Sequence, residues 1–92
     1  MNNQIKEIIT KEFEELKKHY KYEIWNYGNS VAHLEESLRW DEQETDVDEK
    51  YSEDAILNIK EVISEDKKKL KQYENKLIDC NKVLKYLKEE LR

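Results

Sequence analysis

The last forty residues carry a heptad pattern that restricts this chain to helical folds. Between residues 52 and 92 the pattern residues follow one another at alternating spacings of three and four, which is the signature of a long helix with an apolar seam. One charge and one small residue interrupt the apolar series. Such a seam requires a second helix, from the same chain or from another, to cover it. The series is Ile56, Ile59, Ile63, Asp66, Leu70, Tyr73, Leu77, Cys80, Leu84, Leu87 and Leu91.

The overall composition also favours long helices over a mixed globular fold. The 92 residues include one Gly, no Pro and 42% charged residues, a profile typical of coiled coils. A chain of this length predicts one helical domain, residues 1–92, which is too small to enclose a thick core. Its net charge of −5 argues against direct binding to nucleic-acid phosphates.

A second apolar stripe runs through the first forty residues and predicts a helix over residues 2–40. Gly28 lies in the one turn-like cluster of this segment, residues 26–30, yet the stripe keeps its phase across the cluster. We therefore expect one helix with a kink at this cluster. The alternative is a clean break, which would give a three-helix bundle. The stripe is Ile5, Ile9, Phe13, Leu16, Tyr20, Ile24, Tyr27, Val31, Leu34 and Leu38.

An acidic segment poor in apolar residues separates the two stripes. It spans residues 41–50 and predicts the connection between the helices, followed by a second helix over residues 51–91. Asp46, Asp48 and Ser52 are candidate caps for the start of that helix, because side-chain oxygens can accept from the unpaired amides of a first turn.

The two stripes match each other when the chain folds back on itself. Facing residues of an antiparallel pair have a constant sum of residue numbers, and the stripes pair in nine layers with sums of 93 or 94. Asp66 then faces Tyr27 beside Gly28, and small Cys80 faces bulky Phe13. The predicted fold is an all-α antiparallel helical hairpin of coiled-coil type, about 55–65 Å long at 1.5 Å per residue.

Several apolar residues belong to neither stripe. In a lone hairpin they would face water, and an exposed apolar band usually marks an interface. We expect the hairpin to form a homodimer, with the two copies making a four-helix bundle. The surplus residues are Ile8, Tyr22, Trp25, Trp40, Leu57, Val62, Ile78, Val83 and Tyr86.

The chain shows no pattern that supports catalysis or cofactor binding. His19, His33 and Cys80 do not converge in the predicted register, so neither a metal site nor an activated thiol is expected. Phosphate-binding loops and nucleophile motifs are absent from the sequence. The sequence therefore predicts a protein that is not an enzyme and needs no cofactor.

Two groups of residues are candidates for binding a partner protein. The first is aromatic, Tyr22, Trp25 and Trp40, because such side chains often anchor interfaces. The second lies in the acidic connection: Glu42, Glu44, Asp46 and Asp48. Four further residues, Tyr27, Gly28, Asp66 and Phe13, are predicted to be structural, together with Cys80.

These features predict a non-enzymatic protein-interaction module, a small acidic regulator or inhibitor. One alternative is an acidic decoy that blocks a nucleic-acid-binding enzyme, of the kind mobile elements encode for counter-defence. Another is nucleic-acid binding through the Lys-rich second helix, although charge pairing between the helices would also account for these lysines. The sequence has neither an apolar run near 18 residues nor a leader-like start, so we expect a cytoplasmic protein without membrane contact.

Overall fold

The chain folds into two long antiparallel helices packed side by side. A computed structural model describes residues 3–90 and contains α1 (Asn3–Gln43), a short 3-10 helix (Val47–Glu49) and α2 (Glu53–Glu90). The hairpin measures 67 × 15 × 15 Å, and strands are absent from the described residues. The predicted all-α helical hairpin is therefore confirmed.

The first helix runs without interruption through the cluster at residues 26–30. The predicted alternative, a break at Gly28 giving a three-helix bundle, is wrong because α1 is one helix of 41 residues. Gly28 has no positive φ, and a Cβ built on it would meet nothing within 4 Å. Its helical geometry therefore needs no glycine, and burial of neighbours such as Val31 offsets its low helix propensity of about 1 kcal/mol.

The helix boundaries differ from the predicted ones by two or three residues. α1 continues past residue 40 to Gln43, because polar residues in the last turn do not stop a helix. The connection contains a 3-10 helix capped by Asp46, whose Oδ1 accepts from the Asp48 amide at 3.0 Å. The cap of α2 is Ser52, whose hydroxyl accepts from the Ala55 amide at 3.1 Å. The predicted end of the second helix at residue 91 lies outside the described residues.

The two helices meet along the seam in the expected register. The rings of Tyr20 and Tyr73 have centroids 6.1 Å apart, and Cys80 Sγ lies 3.2 Å from the Phe13 carbonyl oxygen. Both pairs belong to the layers whose residue numbers sum to 93. The most buried apolar side chains all come from the two stripes: Val31, Ile63, Cys80, Leu84 and Leu87.

Near the N-terminus the seam shifts by one residue from the predicted stripe. Ile5 is 50% exposed, whereas Lys6 is 7% exposed. The numbers of Lys6 and Leu87 sum to 93, whereas Ile5 does not fit this register. The position of a residue along the helix pair therefore decides its burial here, and its polarity does not. A lysine can occupy such a position because its aliphatic stem packs along apolar surface.

Candidate protein-interaction surface

A polar contact joins the helices at the layer where the seam contains a charge. Ser30 Oγ donates to Asp66 Oδ2 at 2.9 Å in a partly buried setting. The predicted register places Asp66 opposite Tyr27, but the Tyr27 ring stacks on Tyr73 with centroids 5.8 Å apart. A buried carboxylate needs a donor, and Ser30 lies one turn further along α1 in the same cluster. This contact explains how α2 accommodates a charge in its seam.

The cysteine in the seam is a packing residue. Cys80 is 3% exposed, and its thiol donates to the Phe13 carbonyl across the helix pair. Burial raises the pKa of the Cys80 thiol, with the charge of Lys17 opposing that effect more weakly. A thiol that resists ionisation is a poor nucleophile, which agrees with a structural position.

Three large aromatic side chains stand out from α1 into solvent. Tyr22, Trp25 and Trp40 are 59%, 64% and 69% exposed. The rings of Tyr22 and Trp25 stack with centroids 6.4 Å apart and an interplanar angle of 29°. Residues 22 and 40 are five whole helical turns apart, about 27 Å along the axis, so they lie in one line. We call these three residues the aromatic face.

The aromatic face ends at an open cleft beside the connection. Trp40 forms one wall, and its indole Nε1–H donates to Glu36 Oε1 at 3.3 Å. The cleft has a volume of about 410 Å³. We call it the tip cleft. Its lining residues are His33, Glu36, Ser37, Trp40, Asp41, Glu44, Glu49 and Tyr51.

Backbone amides of the connection hold two of the carboxylates in this cleft. Glu44 Oε1 accepts from the amides of Thr45 and Asp46, each at 3.0 Å. Asp41 Oδ1 accepts from the Tyr51 amide at 2.6 Å. Each carboxylate thus uses one oxygen to shape the connection. The second oxygen of each receives no hydrogen bond from residues 3–90.

The four acidic residues predicted as an interaction group are not equivalent. Glu44 and Asp46 accept hydrogen bonds from amides of the connection and so stabilise its path. The carboxylates of Glu42 and Asp48 form no hydrogen bond or ion pair within the described part of the chain and point to an exposed surface. Of the four, only Glu44 lines the tip cleft.

The expected surplus apolar residues of α2 are also exposed. Leu57, Val62, Ile78 and Tyr86 are between 43% and 63% exposed, whereas Val83 is partly buried. Ile8 of α1 is 54% exposed. Apolar surface therefore remains open on both helices after the seam has closed.

Several lysines of α2 contact residues of the hairpin itself. Lys67 Nζ lies 2.9 Å from Glu35 Oε1 on α1. The hydrogen bond and charge of Lys67 lower the pKa of the Glu35 carboxyl. Lys69 and Lys76 lie over the rings of Tyr27 and Tyr73, at 5.6 and 5.1 Å from the centroids. Of these contacts, the ion pair between Lys67 and Glu35 is the expected charge pairing across the helices, while nucleic-acid binding by this face stays a prediction.

The sequence indicated the aromatic and acidic groups but not the cleft that joins them. Glu36, Asp41 and Tyr51 were not predicted as site residues, although the spacing of four between Glu36 and Trp40 is a contact spacing on a helix. The position of Tyr51 depends on the path of the connection, for which the residue pattern gave no signal.

Other kinds of site find no support in residues 3–90. No group of three His, Cys, Asp or Glu side chains there could hold a metal ion. Neither helix is long and apolar enough over its described residues to cross a membrane. The class defined by the fold and this surface is an all-α helical hairpin with exposed aromatic side chains. Comparison with known proteins gives no match to a family profile, a curated protein or a solved structure.

Proposed function

We propose that this protein is a non-enzymatic interaction module, a small acidic regulator or inhibitor that acts in the cytoplasm by binding a partner protein. The observation that supports this function best is the exposure of the aromatic face. Tyr22, Trp25 and Trp40 are each more than half exposed, although the seam between the helices is closed without them. They contribute little to the hairpin itself and are available to another molecule.

The energetics of aromatic burial favour these residues as anchors. An aromatic side chain can bury roughly 150–250 Å², and complete burial of a large apolar side chain is worth about 1.5–3 kcal/mol before ordering costs. Tyr22 and Trp25 already stack on each other, so binding would freeze few additional rotamers. Interface energy is usually concentrated in a few such residues.

A test compares two variants matched in the number of side chains removed. One variant carries Tyr22→Ala and Trp25→Ala on α1, and the control carries Leu57→Ala and Ile78→Ala on α2. Each tagged protein is used to capture partners from a lysate of the source cells, with quantitative mass spectrometry as the readout. We expect specific partners of the unmodified protein to fall at least tenfold for the α1 variant and less than twofold for the control.

The opposite pattern, or equal losses in both variants, would exclude the aromatic face as the binding surface. Circular dichroism on both variants shows whether the helices are intact. A capture experiment in which no protein depends on either face would contradict the proposed function as a whole.

We further propose that the hairpin forms a homodimer through a four-helix bundle. In support, none of the described side chains is less than 2% exposed, so two helices alone leave a thin core. A second copy would cover apolar residues on both helices. Light scattering after size-exclusion chromatography should give twice the 11.3 kDa chain mass. A mass of 11.3 kDa at tens of micromolar protein would rule out the dimer.

The tip cleft favours a second candidate function, an acidic decoy that occupies the nucleic-acid-binding surface of an enzyme. Four carboxylates and no Lys or Arg are found among the lining residues of the cleft. Such binding should weaken steeply with salt. Replacing the four lining carboxylates, Glu36, Asp41, Glu44 and Glu49, together by their amides should reduce it at least tenfold, and unchanged binding would eliminate the decoy function.

A further inference from the structure

One wall of the tip cleft is the indole ring of Trp40. Trp40 is 69% exposed, yet its indole N–H donates to Glu36 one turn earlier on α1. This hydrogen bond favours an orientation in which the ring presents a face to solvent. An indole is the side chain that attracts a cation most strongly through its π-face.

Two of the four carboxylates of the cleft, Asp41 and Glu44, are hydrogen-bonded to backbone amides of the connection. The Tyr51 amide fixes Asp41, and the Thr45 and Asp46 amides fix Glu44. The remaining oxygen of each carboxylate receives no hydrogen bond from a described residue. Acceptors that are already immobilised lose little entropy when a donor binds, which is how preorganised sites gain affinity.

The charge of the cleft complements a cation. Its lining includes Glu36, Asp41, Glu44 and Glu49, and His33 is the one lining side chain that can become positive. A guanidinium group suits this combination better than an ammonium group, because it is planar, stacks on aromatic rings and donates two parallel hydrogen bonds to a carboxylate.

We infer that the tip cleft is a receptor for an arginine side chain of the partner protein, with the guanidinium stacked on Trp40 and hydrogen-bonded to the surrounding carboxylates. This inference deepens the proposed function and rests on it. The partner then presents a basic segment: its arginine enters the tip cleft while apolar side chains of the same partner cover Tyr22 and Trp25.

The test uses a short peptide and needs no knowledge of the partner. The probe is an acetylated, amidated pentapeptide that alternates glycine and arginine, and its matched control contains citrulline, which has nearly the same shape but no charge. Titration is followed by NMR through the indole N–H signals of the full-length protein. The chain has two tryptophans, so Trp25→Phe identifies which signal belongs to Trp40.

We expect the arginine peptide to shift the Trp40 signal and the citrulline peptide to bind at least tenfold more weakly. Glu36→Gln should weaken arginine binding at least fivefold, because it removes charge while preserving shape. Glu12→Gln, on the exposed part of α1 far from the cleft, should change it less than twofold. Trp40→Phe should weaken binding less than Trp40→Ala.

Equal binding of the arginine and citrulline peptides would overturn the inference, as would equal effects of Glu36→Gln and Glu12→Gln. In that case partner capture that still depends on Tyr22 and Trp25 would leave the proposed function intact. Arginine binding at the cleft in a protein that captures no partner would, in contrast, support the cleft and contradict the proposed function.

Discussion

The two halves of the hairpin differ in how deeply the seam between the helices is buried. The terminal half comprises residues 3–23 and 70–90, and the tip half comprises residues 24–43 and 53–69. The deepest apolar burial lies in the terminal half, where side chains of α2 are 3–4% exposed. These side chains are Cys80, Leu84 and Leu87.

In the tip half, directional polar contacts supplement a less buried seam. Its most buried apolar residues, Val31 and Ile63, are each 8% exposed. Ser30 bonds to Asp66 across the helices, and Lys67 pairs with Glu35. We infer that apolar burial stabilises the terminal half more than the tip half. In the tip half, polar contacts between the helices help to position the surface proposed to bind a partner.

The largest expected effect is a cavity in the terminal half. Leu84→Ala removes a side chain that is 4% exposed and should lower the free energy of unfolding by about 2–4 kcal/mol. Leu38→Ala in the tip half, where the residue is only partly buried, should have a smaller effect. Urea denaturation followed by circular dichroism measures both. Equal losses would show that the two halves have equivalent cores.

The second largest effect on the free energy of unfolding is expected for the hydrogen bond between Ser30 and Asp66. Ser30→Ala leaves the Asp66 carboxylate without its donor and should lower the free energy of unfolding by about 1–2 kcal/mol. A double-mutant cycle with Asp66→Ala isolates the pair. We expect the double variant to be more stable than the sum of the two single losses predicts. Strict additivity would mean that the hydrogen bond does not couple the helices.

A smaller effect, of opposite sign, is expected at the glycine of α1. Gly28→Ala should raise the free energy of unfolding by about 0.5–1 kcal/mol, because alanine favours helix and the site has room for a Cβ. Ala32→Gly, four residues on at an exposed position of the same helix, should lower it by a similar amount. Destabilisation by Gly28→Ala would reveal a bend or a close contact that requires glycine.

The smallest effect on stability is expected at the aromatic face. Trp25→Ala should change the free energy of unfolding by less than about 0.5 kcal/mol, as for other exposed positions, even though it impairs partner binding. Measurement at two protein concentrations separates folding from association. A larger loss that grows with concentration would place Trp25 in the proposed homodimer interface rather than in a surface for another protein.

Much of the fold could be predicted because periodicity and register are properties of the sequence. The pairing of Phe13 with Cys80 follows from constant sums of residue numbers. The partner of Asp66 could not be predicted in the same way, since Ser30 lies outside the apolar stripe and the contact depends on side-chain reach. The tip cleft was missed because Tyr51 enters it through the path of the connection, which the 3-10 helix and its caps determine.

Charges at the two ends of the hairpin are too far apart to influence each other strongly. The hairpin extends 67 Å, whereas electrostatic fields decay over about 8 Å at physiological salt. A positively charged molecule bound at the tip therefore leaves the potential at the termini nearly unchanged. Ligands at the two ends can bind independently, without electrostatic cooperation or competition between them.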